Sequence, residues 1–149
     1  MRNISMLLAG LFASGSALAW ETPQLALSEF LKFELSGGRT SAWPLTEYLA
    51  VEKGYDEPGW DMVSLIRRHQ VLALRCSGER CTAKVQFEFQ PTKRLKSEQL
   101  LPHPEGGREV VEYPLVRVNG EWLLADTKGT PRVSYTAYIR RSPNRPVQP

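Results

Sequence analysis

The only two cysteines of the 149-residue chain, Cys76 and Cys81, lie in the stretch RCSGERC. Two thiols at that spacing could hold a metal, cycle as a redox pair or close as a disulfide. A metal centre needs two further ligands, and the only histidines, His69 and His103, show no zinc-like spacing to the pair. Redox sites use C-x-x-C, whereas the spacing here is C-x-x-x-x-C. The surrounding pattern favours the disulfide. Cys81, Ala83, Val85, Phe87 and Phe89 alternate with Thr82, Lys84, Gln86 and Glu88, the signature of a strand with one buried face. In the preceding VLALRC, Leu72, Leu74 and Cys76 share a face, so a Ser77-Gly78-Glu79-Arg80 turn would set the cysteines opposite each other. Closing so short a loop is worth about 2 kcal/mol in the chain-entropy model, which makes the bond a register lock. The densest acidic cluster, Asp56, Glu57 and Asp61, has no calcium-loop arrangement and reads as a solvated loop. His69, inside RRHQ, reads as part of an exposed strand, and His103 lies between two prolines. Neither a metal nor a cofactor is expected.

A disulfide requires an oxidising compartment, and the first nineteen residues point to one. Arg2, an apolar run from Ile4 to Phe12 and the small residues ending in Ala17-Leu18-Ala19 match a secretory signal cleaved after Ala19. The run is shorter than the ~20 residues of a membrane span, and Gly10, Ser14, Gly15 and Ser16 break it, so no transmembrane anchor is expected after cleavage. The expected location is the periplasm or the exterior. Removing nineteen residues from 149 leaves 130, enough for one domain, assigned to residues 20–139. Losing Arg2 lowers the net charge from +3 to +2. That balance, scattered basic residues and the compartment argue against nucleic acid as a partner. Residues 140–149, RRSPNRPVQP, have no core-forming pattern and read as a disordered tail.

The elements that must position these residues run helices first and strands afterwards, an α+β order. Thr22-Pro23 starts a helix and Gly37-Gly38 stops it; Leu27, Phe30, Leu31 and Leu35 form its apolar stripe, which predicts a helix over 23–36. A shorter helix is expected over 44–50, with Leu45, Tyr48 and Leu49 inward. Strands are expected at 62–76, 81–89, 110–118 and 121–126. Asn119-Gly120 makes the last pair a hairpin in which Val118 faces Glu121, Arg117 faces Trp122, Leu115 faces Leu124 and Tyr113 faces Asp126. One face carries Tyr113, Leu115, Arg117, Trp122, Leu124 and Asp126; the other carries Val116, Val118, Leu123 and Ala125, with Glu121 at its end. Neither is simply polar, so the hairpin is expected to be covered on both sides or to lie in a subunit contact. Residues 90–109, rich in proline, glycine and charge, are placed as a lid over one end of the sheet. The segment after Pro131 fits a strand through Val133, Tyr135, Ala137 and Ile139, or a short helix, with the helix preferred.

The closing pattern V-x-Y-x-L-V-R-x-x-G-x-W-x-x-x-D, carried by Val111, Tyr113, Leu115, Val116, Arg117, Gly120, Trp122 and Asp126, resembles the nuclear transport factor 2-like superfamily. The resemblance runs loosely from Thr22 to Ile139 and is closest to small exported members. It implies helices packed on a curved, mostly antiparallel sheet, the cone shared with ketosteroid isomerase, often with a dimer contact on the outer face. It also implies a conical pocket lined by Trp122, Leu124, Tyr113 and Arg117, with Trp43 and Tyr48 as helix-side walls. Enzymes of the superfamily set acids, tyrosines or histidines deep in that pocket, where desolvation raises a carboxyl pKa. Asp126 near Tyr113 is the pair that fits this chemistry. Two readings follow: an exported, non-catalytic binding or accessory protein of the cell envelope, holding a small apolar ligand in the cone or an envelope protein on its sheet; or a small cofactor-free lyase or isomerase using Asp126. A tryptophan on a strand is more often a wall than a binding platform, and opposite Arg117 it could form a cation–π contact of ~0.5–1 kcal/mol.

Overall fold

The computed structural model describes residues 20–41, 45–50, 59–97 and 100–141. The signal-like segment, Trp43, Asp56, Glu57 and the residues after Arg141 lie outside these, so the expectations that fall on them are not addressed by the fold.

Helix α1 spans Pro23–Leu35. Its first turn is held by Thr22, whose hydroxyl accepts from the Leu25 amide at 3.2 Å, with proline at the start of the helix where a missing N–H costs nothing. It ends where Gly37 takes a left-handed backbone, φ 85°, which a Cβ would oppose. The buried face is Ala26, Leu27, Phe30, Leu31 and, unexpectedly for a charged side chain, Glu34. The segment expected as a second helix is reduced to a 3-10 turn at Leu45–Glu47, with Leu45 and Leu49 buried and Tyr48 half-buried.

Five strands follow: β1 Ser64–Ser77, β2 Arg80–Phe89, β3 Gly107–Val118, β4 Glu121–Leu124 and β5 Arg132–Ser134. Their order is β4-β3-β2-β1-β5, antiparallel throughout except for β5, which runs parallel to β1. The sheet curls into a half-barrel with α1 and a second helix, α2 (Tyr135–Arg141), packed against it, an α+β fold. The segment after Pro131 is therefore both things in turn, three residues of strand and then a helix.

The curl has a local cause in β1. Its pairing with β2 shifts between Ile66 and Arg68 and again between Val71 and Ala73, so Arg67 and Leu72 are extra residues at two β-bulges, each of which bends and twists the strand. The bulges also correct the alternation read from the sequence. Residues opposite the buried positions of β2 are Ile66, His69, Val71, Leu74 and Cys76, whereas Leu72 sits at a bulge, 46% exposed. The Cys76–Cys81 disulfide is formed between directly paired residues. Ser77 pairs with Arg80, so the connection is the two-residue Gly78-Glu79 instead of a four-residue turn.

The β3–β4 hairpin turns at Asn119 and Gly120, both with positive φ (51° and 85°), as a twist-matched two-residue turn requires. Val118, Arg117 and Leu115 face Glu121, Trp122 and Leu124 as expected, but the ladder stops there. Ala125 instead donates to the Pro114 carbonyl at 2.8 Å, and Tyr113 and Asp126 do not pair. The free side of β4 is covered by Tyr48–Ala50, through Leu124 N–H to the Tyr48 carbonyl and Ala50 N–H to the Leu124 carbonyl. On the face of β3 and β4 away from the core, Val116 and Leu123 are half-buried and Val110 and Val118 exposed.

The main core joins α1 to the inner faces of β2, β3 and β4. A second cluster, Val63, Leu65, Val133 and Tyr138, lies at the β1–β5 corner, with Leu95 and Leu101 packed on it. Those leucines belong to the segment expected as a lid, whose described residues 90–97 and 100–106 are tied down over this corner. Thr92 and Lys93 amides donate to the Pro104 carbonyl, Leu100 N–H donates to the Asp61 carbonyl, and Ser97 Oγ lies 2.7 Å from the Tyr138 hydroxyl.

Candidate functional site: an apolar groove beside a buried ion cluster

Where β5 gives way to α2, the chain leaves the sheet and opens a groove of about 750 Å³ between α1, α2 and β1. Leu27, Leu31 and Leu35 form its α1 wall, Val71 and Leu74 its β1 floor, and Ala137 its α2 wall. Helical periodicity puts these leucines one turn apart on one stripe; Leu27 and Leu31 are buried and Leu35 half-buried. Val71 is 45% exposed on the floor, an apolar side chain opposite the buried Val85 of β2. Polar side chains also line it: Gln24, Ser28, Lys32, His69, Thr136 and Arg140. Lys32 is paired with Glu29, whereas no hydrogen bond or ion pair engages Arg140 among the described residues. Partial burial lowers the His69 pKa, which favours the neutral ring.

Beside the groove lies a cluster of buried charges. Glu34 on α1 is 1% exposed and accepts from Arg39 Nη1 at 3.1 Å and from the Arg132 amide at 3.0 Å. The Arg132 guanidinium, 5.0 Å from the Phe87 ring centroid, donates to Glu109 Oε1 and to the Lys128 carbonyl, and lies 3.5 Å from the Tyr113 hydroxyl. Arg39 reaches the Gly129 carbonyl and lies over Trp60. Taking these charges out of water is costly and is offset only by such dense pairing. Burial pushes the Glu34 carboxyl above its ordinary range against the pull of Arg39 and Arg132. Burial, reinforced by Glu34, likewise pushes the Tyr113 phenol up. Among the described residues, Glu34 Oε2 and Arg132 Nε have no hydrogen-bond partner. Structurally, the cluster clamps Arg132, the first residue of β5, to α1 and to the inner face of β3, which fixes where β5 enters the sheet.

The residues expected to line a pocket are distributed otherwise. Trp122, Leu124 and Tyr113 do lie on the inner face, but as core: each is buried against α1 or the β-sheet interior and none borders the groove. Arg117 is exposed at the hairpin end. Tyr48 is stacked between Trp20 and Phe33, at 5.8 and 4.6 Å between ring centroids, and holds the α1 side against β4. Trp43 lies outside the described residues. Asp126 is exposed and serves a turn, accepting from the Lys128 amide at 3.0 Å and pairing with its ammonium; these contacts hold its carboxyl below the ordinary range. A general base of the isomerase type needs the opposite shift, and Asp126 is not among the charges acting on Tyr113. His103 stacks on Phe89 at 3.5 Å in the loop that closes the far corner. Among the described residues no three His, Cys, Asp or Glu side chains converge as a metal site, and no helix is long and apolar enough to cross a membrane.

Sequence reasoning missed His69 and Val71 because the two bulges change which β1 residues face inward. It placed Leu27, Leu31 and Leu35 on the apolar stripe of α1, where Leu27 and Leu31 are indeed buried, but periodicity does not tell that the same stripe also borders a groove. It passed over Glu34 and Arg132, whose burial has no local signature. The sequence matches no known family model, no curated protein and no solved structure.

Proposed function

We propose that the chain is an exported, non-catalytic binding protein of the cell envelope whose working surface is the groove between α1, α2 and β1. The observation that carries this is the groove itself: about 750 Å³ of space walled by Leu27, Leu31, Leu35, Val71, Leu74 and Ala137, with a smaller set of polar side chains among them. Binding sites for drug-sized molecules are concave and mostly apolar, with volumes of roughly 300–1,000 Å³. The small fold with its curled sheet and two helices is compatible with a nuclear transport factor 2-like cone, in which ligands lie between helices and concave sheet. The signal-like N-terminus and the disulfide support export.

The test uses the apolar dye N-phenyl-1-naphthylamine and the variant Val71→Trp. Because Val71 is half-exposed on the groove floor, the indole fills the groove without entering the core. The dye should bind the parent chain saturably, and the variant should bind at least tenfold more weakly at unchanged melting temperature. Equal binding by both proteins would defeat the reading.

A further inference from the structure

Strand β5 pairs with β1 only at Ser64, Leu65 and Ile66, while β1 continues to Ser77. Beyond Ile66, no described segment pairs with that side of β1, and Arg67 to Leu72 are exposed. An edge strand carries alternate N–H and C=O groups with no partner, and such a row is a template for another strand. The bulges at Arg67 and Leu72 bound a regular stretch, Arg68–Val71, on that free edge. The groove lies alongside, in the place a longer β5 would have occupied.

We propose that the groove's occupant is an extended segment of a second envelope protein, apolar at alternate residues and acidic between them, which adds to the free edge of β1. This rests on the groove being the binding surface. In an added strand successive side chains point to opposite faces, so every second residue would enter the space between Leu27, Leu31, Val71 and Ala137. The intervening residues would face the convex side. There Arg67, Arg68 and Arg108 share one carboxylate, Glu88, with Arg68 Nη2 at 2.6 Å, leaving two positive charges in excess. Arg140, which also lines the groove, adds a further positive charge. Carboxylates at alternate positions complement this field. The same charges argue against a second copy of the chain. β1 carries Arg67, Arg68 and Arg75 and no acid, so two β1 edges brought together would place arginines beside arginines.

The probe is a fluorescein-labelled heptapeptide alternating glutamate with leucine or valine, with lysine-for-glutamate and backbone N-methylated forms. N-methyl groups are placed on odd or on even residues, because only one set faces the β1 edge. The expected result is saturable binding, weakened at least tenfold by lysine and by one N-methyl set but not the other. Amide exchange within Arg68–Val71 should slow when the peptide binds. Equal affinity for both N-methylated forms, or unchanged exchange at those amides, overturns strand addition. If the peptide does not bind while the dye still does, in a Val71-dependent manner, strand addition fails and the groove reading stands. If neither binds, both fail. Protection of the same amides in a dimer of the chain alone would make a second copy the occupant and overturn the proposal.

Discussion

Gly38 follows α1 and sits under the aromatic stack that fixes this helix over the sheet. A methyl group there would meet Cδ2, Cε2 and, at 2.6 Å, Cζ of the Phe33 ring, whereas ordinary contact begins at 3.4 Å. The ring must therefore retreat by about 1 Å, and in a close-packed region it cannot do so alone. Phe33 stacks on Tyr48 at 4.6 Å, Tyr48 stacks on Trp20, and the Trp20 carbonyl accepts from the Trp122 amide at 2.9 Å. Overpacking of this kind costs about 1–3 kcal/mol, while replacing glycine restricts the unfolded chain and returns about 0.4–1 kcal/mol. The net loss for Gly38→Ala should be about 1–2 kcal/mol, a fall in melting temperature of ~4–8 °C for a domain of this size. Thermal denaturation followed by circular dichroism measures it, and the near-ultraviolet signal of Trp20 and Tyr48 should change with it. Shortening the ring with Phe33→Leu opens the space, so adding Gly38→Ala in that background should be neutral or stabilising. An equal loss in both backgrounds would refute the reasoning, because it would place the strain in the backbone and not in the ring.

Two further outcomes follow from the fold. Replacing both Cys76 and Cys81 by serine opens a loop of sequence separation 5 and should lower stability by about 2 kcal/mol, read as a fall in the urea midpoint with the fold retained. Loss of the fold would mean that the bond does more than lock a register the strands already define. Glu34 is held above its ordinary value of 4.5 by burial, so the folded state keeps a proton that the unfolded chain releases. Its contribution to stability is full below that ordinary value and declines as pH rises through the raised one. Glu34→Gln cannot titrate and should remove that decline from the urea midpoint measured between pH 4 and 8; an unchanged profile would show that Arg39 and Arg132 outweigh desolvation.

Most of the element order was legible in the sequence because the signals are local. The Thr22-Pro23 start, the Gly37 stop, the strict alternation from Cys81 to Phe89 and the Asn119-Gly120 turn are each decided by backbone preference and side-chain period over a few residues. The cysteine pairing follows from the same period, since it places Cys76 and Cys81 on one face of adjoining strands. What the tertiary structure alone decided is where the chain stops covering itself. Two inserted residues, Arg67 and Leu72, bend β1 and change which of its side chains face inward, and nothing in SLIRRHQVLALRCS marks them. Arg132, the first residue of β5, is clamped by Glu34 and Glu109, which stand 98 and 23 positions away along the chain, and this fixes where β5 joins the sheet. The clamp and the bend both depend on contacts between distant parts of the chain, whereas local pattern specifies elements and not the gaps between them.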